Sequence, residues 1–65
     1  MRQQLKRNNL AKIRRQLGLR QLDVARRLDI YQSEVSAVER AEREPGVHFA
    51  KRIARALGRK VEDVF

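Results

Sequence analysis

Residues 20–41 read RQLDVARRLDIYQSEVSAVERA, two apolar helical stripes separated by a gap too short for anything but a corner. Val24, Ala25 and Leu28 recur at the spacing of one helix face, and Val35 and Val38 resume the pattern. Asp29 and Ile30 lie between the runs. Asp is one of the few residue types that tolerates the left-handed backbone such a corner often needs. Ala25 brings the smallest side chain available to the place where the second helix must cross the first closely. The pattern predicts helices over 21–28 and 32–40, meeting at a sharp angle.

Outward from this pair the same signals predict three more helices and an all-α fold. A first helix over Leu10–Leu17 puts Leu10, Ile13 and Leu17 on one face, with Asn8 or Asn9 as its side-chain cap. Gly18 stops it, because glycine supplies the backbone freedom of a helix end. The segment AEREPG, residues 41–46, is a surface connection that puts Pro45 near the start of a fourth helix. That helix, Val47–Leu57, is expected to bury Val47, Ala50, Ile53, Ala54 and Leu57 and to end at Gly58. A final turn, Val61–Phe65, closes the core with Val61, Val64 and Phe65. The chain divides into a basic N-terminal arm, residues 1–8, and one folded domain, residues 9–65, without repeats or low-complexity tracts.

Sixty-five residues build one small core, worth roughly 3–5 kcal/mol without staples. The chain has no cysteine, so neither disulfides nor thiolate metal sites reinforce it. No apolar run approaches the roughly 20 residues of a membrane span, and the opening MRQQLKRNN lacks the apolar centre of a signal peptide. A soluble cytoplasmic protein is expected. The formal charge of +8 is concentrated at the start: residues 1–20 hold Arg2, Lys6, Arg7, Lys12, Arg14, Arg15 and Arg20 and no acid. Such a segment anchors a polyanion. A tight two-helix corner on a basic chain is the helix-turn-helix arrangement, which lays its second helix in the major groove of DNA.

Catalysis has no foothold. The single histidine, His48, reads as a surface residue of the fourth helix, and Ser33 and Ser36 have no base beside them. No motif for phosphate cradling, metal or cofactor binding is present. Three aromatic residues are too few for stacking on RNA bases. The first helix has no apolar face to spare for a membrane surface. A protein-interaction module or antitoxin, acting with a partner protein, is the alternative. Leu22, Phe49 and Phe65 would mark its interface if they cluster on the surface.

Several segments carry a further resemblance. They are Gly18-Leu-x-Gln21, Asp23-Val24-Ala25, Leu28-x-Ile30, Val35-x-x-Val38-Glu39 and Ile53-Ala54-x-Ala56-Leu57-Gly58. In this order and at these separations, from about Leu10 to Phe65, the chain resembles the phage Cro and repressor family of helix-turn-helix proteins. This is the Xre-type or lambda-repressor-like family. The resemblance implies a compact five-helix bundle acting as a transcriptional regulator, a repressor by expectation. Such a protein binds an inverted-repeat operator as a homodimer on double-stranded DNA, with half-sites about one helical turn apart. Any dimer would use the face near Val47–Phe65 or form only on DNA. The family usually begins its second, third and final helices with Ser or Thr, and often the fourth. This chain has Arg20, Tyr31, Lys60 and Gly46 there. A lost cap costs about 0.5–2 kcal/mol, and Asp23, Glu34, Glu62 and Asp63 in the first turns recover part of it through the helix dipole.

The resemblance also assigns roles. Gln32, Ser33 and Ala37 match the family's base-reading places, and Gln21 would bridge a phosphate and the recognition helix. On its own chemistry Gln can bond adenine twice, Ser suits either base type, and the Ala methyl can meet thymine. Ser36 faces outward with them, and Glu34 either accepts from cytosine or only fills the first turn. Arg20, Tyr31, Arg40, Arg43 and the arm residues Arg2, Lys6 and Arg7 are the phosphate candidates. The family pairs an arginine of the first helix with a glutamate ending the third, here Arg14 and Glu39, as a structural ion pair.

Overall fold

A computed structural model describes residues 8–65, and among them the chain forms five helices and no strand. They are α1 (Leu10–Gln16), α2 (Gln21–Leu28), α3 (Gln32–Glu39), α4 (Val47–Ala56) and α5 (Val61–Val64). The arm residues Arg2, Lys6 and Arg7 lie outside the described residues. Asn8, placed at the end of the arm by the sequence reading, is bound into the domain. Its Nδ2 donates to the carbonyl of Val38 at 2.8 Å, and its Oδ1 accepts the amide of Leu10 at 3.1 Å. Asn8 rather than Asn9 thus supplies the side-chain cap of α1. Asn9 donates through its side chain to the Asp63 carbonyl and through its backbone to the Val64 carbonyl, tying α1 to α5.

α1 to α4 all end the same way. Within two residues of the helix end the chain turns left-handed, at Gly18, Asp29, Ala41 and Gly58, with φ between 58° and 72°. The amide of that residue and the next one fold back onto the last turn, as in Ile30 N–H to Ala25 O at 3.0 Å and Glu42 N–H to Ala37 O at 2.9 Å. This closes the carbonyls that a helix leaves without partners. Because the turn begins at the last helical residues, α1, α3 and α4 each stop one residue before the expected end, and α5 stops at Val64, also one residue short.

The starts of α2, α3 and α5 are also alike. Arg20, Tyr31 and Lys60 cannot cap as Ser or Thr would, so the third helical residue reaches back instead. Asp23, Glu34 and Asp63 accept the backbone N–H of Arg20, Tyr31 and Lys60 at 2.7, 3.0 and 3.2 Å. This is half of a capping box. The acids expected to act through the dipole make a directed bond as well.

Leu10, Ile13, Val24, Ala25, Leu28, Val35, Val38, Ile53, Ala54, Leu57 and Val64 make up the core. Ala25 is 1% exposed between α2 and α3. Three expected core residues are outside it, among them Ala50, which is only half-buried. Leu17, 39% exposed, sits at the end of α1 where the chain bends away at Gly18. Val47, 71% exposed, is the first residue of α4, one turn short of the place where that helix meets the core. Phe49, Val61 and Phe65 pack partly buried against the core.

Candidate nucleic-acid interface

The site is built on one buried charge. Arg14 points from α1 toward the end of α3, where its Nε donates to Glu39 Oε2 at 2.6 Å and its Nη2 to Glu39 Oε1 at 3.3 Å. Its Nη1 donates to the Leu19 carbonyl at 2.8 Å. The two side chains are 10% and 6% exposed, so a two-pronged, charge-assisted contact holds three elements together away from water.

Polarity then propagates outward. A carboxylate only accepts, so the amide nitrogen of Gln21 must face it, and Gln21 Nε2 donates to Glu39 Oε1 at 2.9 Å. Gln21 Oε1 is thereby turned to α3 and accepts from Gln32 Nε2 at 3.3 Å. Gln32 keeps its own carbonyl oxygen and one N–H for a partner outside the protein. That donor and acceptor pair complements the N7 and N6 edge of adenine. The buried ion pair and the exposed first turn of α3 are therefore one hydrogen-bonded chain.

Gln32 and Ser33 stand exposed at the leading end of α3, with Tyr31, 79% exposed, beside them. Ser36 and Ala37 are half-buried, Ser36 taking the Arg40 guanidinium and Ala37 lying under the chain that follows α3. Glu34 is committed within the protein: it caps Tyr31 and accepts from Arg43 Nη1 at 2.8 Å. Each Glu34 oxygen thus has one partner within the protein and keeps a further lone pair.

Each described phosphate candidate that is an arginine already faces a carboxylate. Arg20 meets Asp23 at 3.1 Å, Arg40 meets Glu42 at 2.9 Å, and Arg43 meets Glu34 at 2.8 Å. The Arg20 and Arg40 guanidiniums are held above their ordinary pKa by these hydrogen bonds, and Asp23 and Glu42 below theirs. The Tyr31 amide, and then Arg43, hold the Glu34 carboxyl down in the same way. Pairs this exposed contribute little, so a phosphate can replace the carboxylate at small cost. Arg43 also stacks over the Phe49 ring, 4.8 Å from its centre, a contact that spacing along the chain did not reveal. Among the described residues no group of His, Asp and Glu could hold a metal ion.

Residues 10–64 match the family model described as helix-turn-helix. The chain belongs to the helix-turn-helix family of the Cro and repressor type. A helix-turn-helix relative from Methanothermobacter thermautotrophicus, described as an uncharacterized HTH-type transcriptional regulator, is 42% identical over 53 residues. The alignment covers 80% of this chain and 77% of that protein. In this helix-turn-helix chain α2 and α3 are the paired helices, packed on one another across the corner at Asp29 and Ile30.

Proposed function

We propose that this chain is a sequence-specific DNA-binding transcriptional regulator, a repressor that occupies an inverted-repeat operator as a homodimer with α3 in the major groove. The observation that carries the reading is the Arg14–Glu39–Gln21–Gln32 chain, which leaves a donor and an acceptor of Gln32 oriented outward at the first turn of α3. Gln32 reads adenine, Ser33 and Ala37 contact neighbouring bases, and Ser36 borders them. Gln21, at the start of α2, meets a phosphate with its backbone amide. Arg20, Tyr31, Arg40 and Arg43 contact phosphates, and the arm cations Arg2, Lys6 and Arg7 add sequence-independent attraction. The modest polar reach of α3 leaves DNA shape a share of the specificity.

Selection of bound duplexes from a random pool at about 150 mM salt, where nonspecific attraction is screened, tests this directly. An inverted repeat supports a dimeric regulator. Failure to enrich any motif overturns sequence-specific binding. With the selected operator, Gln32→Ala lowers discrimination at one base position by roughly 1–3 kcal/mol and leaves binding to random duplex nearly unchanged. Competition binding against single-base operator variants reads this.

A further inference from the structure

Among the described residues, the arginines assigned to DNA each face a carboxylate, whereas a pair of arginines without one lies elsewhere. An open groove of about 390 Å³ runs between the α1–α2 connection and the last turns of α2 and α4. Leu17, Leu19 and Leu57 line it, Arg27 and Arg55 flank it, and Gly58 leaves one end open. Among the described residues neither arginine makes an ion pair. Arg27 is tethered to the wall by donating from Nη1 to the Ala56 carbonyl at 2.8 Å, and its remaining donors have no partner among the described residues. None of the lining residues belongs to α3.

We propose that this groove docks an acidic, leucine-bearing segment of a partner protein. The charge calls for carboxylates or phosphates. The apolar floor, with Leu17 39% exposed, chooses between them: a leucine-type side chain covers it, while a nucleic-acid backbone leaves it wet and its arginines only half engaged. The proposal stands apart from the reading of α3, because a partner here leaves the Gln32 surface open.

The test is titration of the isotope-labelled chain with a synthetic helical peptide of Glu and Leu, followed by amide NMR shifts and by anisotropy of the labelled peptide. Shifts are expected at Leu19, Leu57 and Gly58 and not at Gln32 or Ser33. They should persist with a DNA duplex bound. Arg55→Glu and Leu17→Ser each weaken binding at least about tenfold, the loss of one charged or one anchoring contact. Both positions are exposed, and unchanged helical circular dichroism confirms that the variants fold. The proposal fails if the groove amides do not move, or if the shifts fall on α3. It also fails if the same peptide with Ser for Leu, or a DNA duplex, moves the groove amides with equal affinity, since the site would then select charge alone.

Discussion

At the residue scale, Ala41 and Asp29 occupy the same conformation with different fitness for it. Both have φ of 58°. Asp29 has a short polar side chain that tolerates the left-handed region, while the Ala41 methyl crowds its neighbouring carbonyl. Relief of that strain outweighs the added freedom of glycine in the unfolded chain. Ala41→Gly is therefore expected to stabilise the domain by about 0.5–1 kcal/mol, read as a higher urea midpoint with an unchanged slope. Nothing about an alanine in a sequence announces this conformation. Asp29 and Gly18, whose residue types favour it, were legible as turn positions.

At the scale of the element, the helices of this chain replace hydroxyl caps with acids one turn in. Asp23 and Glu34 are charged partners of the Arg20 and Tyr31 amides, and both carboxyls sit below their ordinary pKa. A depressed folded-state pKa contributes stability above the unfolded value, and that contribution is lost as pH falls through the folded one. Thermal midpoints are expected to hold near neutral pH and to decline below about pH 4. The Asp23→Asn and Glu34→Gln double variant, whose amide oxygens still accept the cap bonds, shows a shallower acid decline. Identical profiles for the two proteins would remove these carboxylates from the acid response. The acids were legible as first-turn residues, but their bond to the cap amide depends on side-chain reach that spacing does not specify.

At the scale of the whole molecule, Arg14 and Glu39 connect α1, the α1–α2 connection, α2 and α3 through one buried contact. Removing one partner strands a buried charge, at about 3–5 kcal/mol, comparable to the whole stability of a core this small. Arg14→Met or Glu39→Met alone is expected to unfold most of the population. The double variant recovers much of the loss, since neither charge is then stranded. Urea unfolding of the three variants gives the coupling. The same series for Arg40 and Glu42, exposed on both sides, yields little coupling. The charge of the whole chain acts over a longer range. Replacing Arg2, Lys6 and Arg7 together lowers the slope of log affinity against log salt by up to about three units, roughly 0.9 per phosphate contact. Binding measured across a salt series reads that change.

Local chemistry settled the elements. Apolar periodicity located five helices, the corner between α2 and α3, and most of the core, because each of these rests on neighbours within a few residues. It placed Gln32 and Ser33 at the exposed start of α3 for the same reason. Leu17 and Val47 escaped it: both lie on the correct stripe, but each sits at a helix end that the fold carries past the core. The Arg43 contacts to Glu34 and Phe49, the Asn8 bond to Val38 and the Gln21 link from Glu39 to Gln32 join residues of different elements. Spacing carries no signal for such pairs, since they exist only once the helices are packed and each donor must find the acceptor brought beside it.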